Sequence, residues 1–434
     1  MNAIADAPRK RSQPARNEWQ PSAWLVGGVV AASAIFYLWR NLLLALTYLR
    51  TEPSDFTNYY LAARALLSSR SPFSVPKFDY PALLAFLVAP IAWLPEPSAR
   101  LVWFACGHLC LLAAGILAWR SLGGDRAALI AVAATWAFAG TVAENLVLGQ
   151  VNPLLLLLIA GAASASCRGR PRGAAMIGVA ASLKLWPIVV LGEDVLARRW
   201  RSVATGAIVA VGLLAFPWAY VAALRPLPHM PPHSGYWMGT PALLNFSLPA
   251  VALRLLDPPA AGAPLPPRWV VGNDPGQLVL PAASAATGVA VAVVALLVGF
   301  LLVRCRSVGA GTDVSAEPVE VAALVSLALL AAPISWYHYQ LLNFLGIALL
   351  ATRWLRGRRV AALVALGGIV LAATWMRSLM VEPYLARYGW TAARPGLLWM
   401  ATSLTPAAGI VLFGLLLGQV RVHRSPGDAV GKAA

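Results

Sequence analysis

The sequence predicts an all-α polytopic membrane protein, and three observations carry that prediction. Hydrophobic residues make up 59% of the 434-residue chain and charged residues only 12%, about half the share in an average soluble domain. Apolar runs of roughly 20 residues, the length that crosses a bilayer as a helix, recur along the chain. Short Arg-rich clusters punctuate them: "RKR" (9–11), "RGRPR" (168–172), "ARRWR" (197–201), "RCR" (304–306), "RWLRGRR" (353–359) and "RVHR" (421–424). A formal net charge of +17 would suit nucleic acid, but cations scattered between apolar runs are orientation signals and form no continuous basic face. No nucleic-acid partner is expected.

Placing every basic cluster in the cytoplasm assigns the runs in turn. A basic tail (1–20) precedes the first run, 24–48. Its order of basic, apolar and "AASA" resembles a signal peptide, yet the many later runs make it an uncleaved first helix. Arg40 inside that run requires either that the helix ends near Trp39 or that Arg40 faces protein. Residues 51–80 then emerge outside. Run 80–95 is too short to span and is expected to be re-entrant or interfacial. Runs 98–119, 127–147 and 151–167 follow, with "LGQVNP" (148–153) outside. Run 173–197 is basic at both ends and holds "SLKLWP" (182–187) at its middle, so it reads as a hairpin of two short helices turning outward near Lys184 and Pro187. Run 202–222 leads to a Pro-rich outer loop, 223–280. Runs 280–303, 319–336, 339–354, 359–378 and 395–419 complete about 12 spans within one membrane domain (21–420), before a cytoplasmic tail (421–434).

The resulting topology is asymmetric. Cytoplasmic loops are short and basic, whereas Asp55, Tyr59, Tyr60, Gln150, Asn152, Lys184, His338 and Tyr384 collect on the outer side. Chemistry is therefore expected outside. Cys106, Cys110, Cys167 and Cys305 lack metal-site spacing and read as small buried hydrophobes. His229 and His233 are four apart but embedded in prolines, and no D-x-D motif occurs. Neither a metal nor a cofactor is expected.

Each candidate has a bland reading beside a chemical one. In "EPSDFTNYYLAARALL" (52–67), Phe56, Tyr60, Ala63 and Leu67 recur at helical spacing, predicting a short amphipathic helix on the outer membrane surface. Asp55 at its start is either a helix cap or a partly desolvated general base. His338, among Trp336, Tyr337 and Tyr339, either belongs to an aromatic belt or donates to a lipid phosphate. Lys184 in an apolar hairpin should face a polar cavity or a bound anion. Gln150 and Asn152 either close a tight turn or bind sugar hydroxyls. Tyr236 and Trp237 in the Pro-rich loop offer sugar-stacking faces, although that loop also reads as a passive cover.

The segment "SDFTNYYLAARALLSSRSPFSVPKFDYPALLAFLVAPIAWLP" (54–95) resembles the glycosyltransferase-family-87 pattern: D-F-x-x-Y-Y-x-A-A-x-A-L, a short P-[FY], then aromatic-Tyr-Pro-Pro. "LGQVNPLLLLLIA", "ASLKLWPIVVL" and "PISWYHYQLL" follow in the family's order, so the resemblance covers about residues 50–355. It implies a GT-C membrane fold and an inverting transfer of mannose from a polyprenyl-phosphate donor to a lipid or glycan acceptor. The reaction would run on the outer face of a bacterial inner membrane, with both termini cytoplasmic. It also implies Asp55 as the catalytic carboxylate, with Lys184 and His338 near the donor phosphate. The chain departs from the pattern at Tyr80-Pro81-Ala82 and at Tyr339, which replaces a frequent second His. A transporter or flippase of lipid-linked sugars is the alternative. It would need no base at Asp55, and its polar residues would sit at mid-bilayer. A scaffold component of an envelope assembly would be insensitive to any single polar substitution.

Overall fold

A computed structural model describes residues 20–44, 46, 54–76, 78–166, 171–196, 198–223, 245–256, 258, 260–265, 282–307, 317–332, 335–375, 377–389, 391 and 393–420. Within them every named element is helical, with two isolated β-bridges. The first helices are α1 (Ala23–Tyr37), α2 (Asp55–Leu67), α3 (Ala82–Val88), α4 (Glu96–Ser121), α5 (Arg126–Phe138), α6 (Thr141–Leu148), α7 (Asn152–Ser166) and α8 (Pro171–Leu183). After them come α9 (Gly192–Leu196), α10 (Trp200–Ala223), α11 (Leu248–Leu256), α12 (Ala282–Ser307), α13 (Glu317–Ala331), α14 (Phe344–Arg356), α15 (Val360–Thr374), α16 (Glu382–Tyr388) and α17 (Pro395–Leu417).

Among the described residues, five helices are long and apolar enough to cross a membrane, and up to seven if the bent pairs α5–α6 and α15–α16 each count as one span. About 12 spans were expected from the apolar runs. The difference arises because several runs form shorter apolar helices, such as Asn152–Ala165 and Pro318–Ala331, or are broken along their length. The chain is thus a multi-pass membrane protein in which long spans alternate with short and bent segments. Its outer surface agrees with that: Leu109 on α4, Ile208 and Val211 on α10, and Leu297 and Leu301 on α12 are all exposed. Soluble proteins rarely expose apolar residues so densely. The interior is built from α13 and α14, whose side chains are almost all buried.

Local details follow the physical chemistry of each segment. Run 80–95 contains only the short α3, then turns through Leu94, so its helix is shorter than a span. Run 173–197 is indeed two short pieces, α8 and then a 3-10 turn (Trp186–Leu191) with α9, broken at Lys184. Arg40 lies in a π-helical extension of α1 (Leu38–Leu44) and faces protein. Its Nη1 donates to the Gly140 carbonyl at 3.3 Å, and its guanidinium lies 3.9 Å from the centre of the Trp375 ring. Gly178 on α8 meets α10 so closely that a Cβ would strike the Gly206 carbonyl; small residues are what let two membrane helices approach this way. Part of the Pro-rich loop is ordered as α11. Cys106 departs from expectation. It is exposed, because an apolar side chain on a membrane helix can face lipid as readily as protein.

Candidate active site

The site is assembled from segments far apart in sequence, each held by local chemistry. Ser54 occupies the N-cap of α2, and the Thr57 N–H bonds to the Ser54 carbonyl at 2.9 Å, leaving Asp55 in the first helical turn. Phe56, Tyr59, Ala62, Ala63 and Leu66 are buried, so α2 is packed into protein over most of its surface. Its other side is pinned to α4. The Thr57 hydroxyl donates to Glu96 Oε1 at 2.7 Å and accepts from Arg100 Nη2 at 3.0 Å, while Arg100 and Glu96 pair at 2.6 Å.

Across from Asp55 lies the α6–α7 corner. Helix α6 ends on Gly149, whose φ of 65° is left-handed, a conformation that favours glycine. A Cβ at Gly149 would also come within 2.6 Å of the Phe56 Cβ. The Gly149 carbonyl accepts from Trp103 Nε1 at 2.8 Å. This corner presents Gln150, whose Nε2 donates to Asp55 Oδ2. The Gln150 Oε1 lies 3.5 Å from the hydroxyls of both Tyr59 and Tyr80, and those two rings meet edge to face. Burial, reinforced by neighbouring groups including Asp55, pushes both phenols well above the usual tyrosine range. They therefore remain protonated donors beside the carboxylate.

Two residues further on, Asn152 opens a second polar chain. Its Oδ1 accepts from Lys184 Nζ at 3.0 Å, and its Nδ2 donates to Asn145 Oδ1 at 2.8 Å. Asn145 in turn donates to the His338 carbonyl at 2.8 Å. Lys184 is buried, and its ammonium stands 3.8 Å from the centre of the Tyr339 ring. Asn152 is the one hydrogen-bond acceptor it meets among the described residues, so two of its three donors remain available to an anion. The His338 ring packs on Tyr339, and Ser335 and Trp336 just before it pair with Asn245 and Phe246. That pairing is fastened by Arg254, which donates to the Asn245 carbonyl at 2.9 Å.

Asp55, Gln150 and Tyr59 thus meet in one polar chain, and Asn152, Lys184 and the His338 carbonyl in a second beside it, all of them residues expected from sequence. Tyr60 joins neither and donates instead to the Leu94 carbonyl at 2.9 Å. Tyr384 is apart too, in a separate cluster with Leu265 and Leu398. Tyr236 and Trp237 lie outside the described residues. Asn145, Tyr80 and Tyr339 are site residues that the sequence did not single out. Asn145 and Asn152, amides seven residues apart in apolar helices, were the available signal, because buried amides need partners.

A polar network that holds a carboxylate and an ammonium inside an apolar bundle is chemically poised, and residues 78–333 of the same chain match the model of Glycosyltransferase family 87. The chain belongs to this family. The matched segment carries Tyr80, Asn145, Gln150, Asn152 and Lys184, whereas Asp55 precedes it and His338 follows it. This family 87 glycosyltransferase is also similar to a curated protein of Mycobacterium tuberculosis (strain ATCC 25618 / H37Rv), with 26% identity over 435 residues, covering 92% of this chain and 93% of the relative. That relative is named polyprenol-phosphate-mannose-dependent alpha-(1-2)-phosphatidylinositol mannoside mannosyltransferase.

Proposed function

We propose that the glycosyltransferase moves mannose from a polyprenyl-phosphate donor to the hydroxyl of a lipid or glycan acceptor, on the outer face of a bacterial inner membrane. The single observation that carries this reading is the pairing at the α6–α7 corner. Gln150 holds a carboxylate, and Asn152, two residues on, holds a buried ammonium. Asp55 takes the proton of the acceptor hydroxyl as its oxygen attacks the anomeric carbon. The bond from that carbon to the phosphate oxygen breaks on the opposite face, and polyprenyl phosphate leaves with the electron pair. The configuration therefore inverts. Lys184, with two donors to spare, meets the charge that develops on the leaving phosphate. His338 adds a donor from the same side. Gln150 orients the carboxylate, and the Tyr59 and Tyr80 hydroxyls contribute to sugar binding beside it. Long spans mixed with short and bent segments suit a GT-C-type bundle that opens outward around this network. A mannosylated phospholipid, as in the relative's name, is the first acceptor to try.

Asp55→Asn is the decisive test. Asparagine keeps the shape and can still accept from Gln150, while Ser54 retains the N-cap position, so the fold should persist. Removing a general base costs on the order of 100- to 10,000-fold in rate. Transfer of labelled mannose from polyprenyl-phosphate-mannose by the purified variant should fall by that much. A variant that works at the wild-type rate would sink the mechanism. A wild type that consumes no polyprenyl-phosphate sugar with any acceptor extract would sink the proposed function.

A further inference from the structure

One face of α1 carries polar side chains into the bundle. Ser33, Tyr37 and Asn41 recur every four residues, so they line one side of α1 and its π-helical extension. All three are buried, and Asn41 is fully enclosed. The Tyr37 ring stacks on Trp136 of α5 at 4.1 Å and meets His108 of α4 edge to face at 5.8 Å. The extension packs on α6, which begins with the enclosed Thr141. From Ser33 to Asn41 this seam is about 12 Å long, the rise of eight helical residues. The hydroxyls of Ser33, Tyr37 and Thr141, both amide atoms of Asn41, His108 Nε2 and Trp136 Nε1 meet no hydrogen-bond partner among the described residues. Polar atoms within a membrane bundle are costly unless something pairs with them.

We propose that this seam binds a short file of water molecules from Ser33 to Thr141. The chemistry of the lining selects the occupant. His108 Nδ1 donates to the Phe104 carbonyl at 2.9 Å, so the neutral ring offers Nε2 as an acceptor only. Trp136 Nε1 and Asn41 Nδ2 can only donate, Asn41 Oδ1 can only accept, and the three hydroxyls do both. A cation is opposed by the two N–H donors, and an anion by the imidazole nitrogen and the amide oxygen. Hydrocarbon satisfies none of these atoms. Water donates and accepts at once, and suits a buried site that gives each molecule about two to four polar partners. The backbone agrees: π-helical turns are rare and concentrate at functional sites, and this one begins just after Tyr37 and contains Asn41.

The seam meets the site at Thr141, whose carbonyl accepts from Asn145 Nδ2 at 2.7 Å. The water file therefore begins where the second polar chain ends. Bridging waters fasten α1, the least buried of the candidate spans, to α4, α5 and α6. They also hold the first turn of α6, from which Asn145 reaches the His338 carbonyl. The inference stands whichever sugar the enzyme moves.

Radiolytic footprinting tests it. X-ray pulses split bound water inside the full-length protein, and the hydroxyl radical marks the side chains touching it. After correction for intrinsic reactivity, Tyr37, Trp136 and His108 should be oxidised roughly tenfold faster than the buried core residues Trp354 and Phe344. Rates no higher than that of Trp354 overturn the proposal, and a lipid hydroxyl seated in the seam would give that same result. In a second arm, Asn41→Leu replaces both amide atoms with methyl groups and should lower oxidation of Tyr37 and Trp136 severalfold, with Trp354 unchanged. Unaltered oxidation of Tyr37 and Trp136 in a well-folded Asn41→Leu places the water elsewhere and overturns the seam. Thr141→Val, read in the same way, takes its place if Asn41→Leu does not melt cooperatively. If neither variant folds, the wild-type rates decide alone.

Discussion

The two ends of α4 handle charge differently. Beyond its Ser121 end, Asp125 and Arg356 meet at 2.8 Å, and Arg356 also donates to the Leu122 carbonyl at 2.6 Å. Asp125 caps α5 by accepting from the Ala128 N–H at 2.8 Å. These charges neutralise one another, and together they join the start of α5 to the end of α14. Near the Glu96 end, Lys184 is more deeply buried, yet a neutral amide and an aromatic face hold it. It makes no ion pair among the described residues. A partly buried ion pair is already satisfied and fastens the fold, whereas an ammonium held by a neutral amide and a ring retains attraction for an incoming anion. The Glu96 end carries a fastening pair of its own, Glu96 with Arg100 at 2.6 Å, so the contrast lies between these ion pairs and Lys184.

Substitutions can break or sharpen this contrast, and the largest effect after Asp55→Asn is expected at Lys184. Lys184→Met removes the positive charge proposed to meet the leaving phosphate while filling the same space, and should lower mannose transfer by roughly 100-fold or more, with unchanged migration on size exclusion. Near-normal transfer by Lys184→Met would mean that this ammonium is structural after all. Tyr339→Leu should cost roughly five- to thirty-fold in kcat/KM, the range of a cation–π contact from partly exposed to desolvated. Tyr339→Phe keeps the ring face and should stay within about twofold. A large loss in Tyr339→Phe would show that the hydroxyl matters more than the ring.

At the other end, Arg356→Gln should leave kcat nearly intact and lower the melting temperature in detergent by a few degrees. The loss would be roughly 1.5–3 kcal/mol for a hydrogen-bonded charged group. An inactive but well-folded Arg356→Gln would erase the contrast. The smallest effect concerns pH. Burial would raise the Asp125 carboxyl, but the Arg356 and Ala128 hydrogen bonds outweigh it and hold it below the usual range. Its stabilisation is therefore complete above an unfolded-state value of about 3.9 and fades as pH falls through the lower folded-state value. Melting curves below about pH 4 should show this decline in wild type and less of it in Arg356→Gln.

Much of this architecture was legible in the sequence, and the exceptions share a physical cause. Long apolar runs report helices because the bilayer leaves the backbone no other way to satisfy its hydrogen bonds. Lys184, Gln150 and Asn152 stood out for the converse reason, as polar groups that an apolar bundle tolerates only with partners. Cys106 was misread because burial in water-soluble proteins separates apolar from polar, whereas lipid and protein interior are both apolar. Tyr80 and Tyr339 stood out only at departures from the family pattern and not as site residues, because aromatics are common at membrane interfaces and nothing in a lone tyrosine says whether its ring faces lipid or an ammonium. The α11 helix was hidden by the prolines around it. Asn145 needed the third dimension: its partner His338 is 193 residues away.

The left-handed step at Gly149 has a consequence for how this protein can vary. Only Gln150 and Val151 separate it from Asn152, the first residue of α7. Gly149 is locked against Phe56, so everything after it is counted from a fixed origin. One residue inserted before Asn152 would turn the following side chains by about 100° about the helix axis. The amide that joins Asn145 to Lys184 would then point elsewhere, while every apolar side chain of α7 remained acceptable to lipid. The corner is thus a register mark: lengthening it would leave the membrane protein intact and put the two polar chains that meet there out of phase.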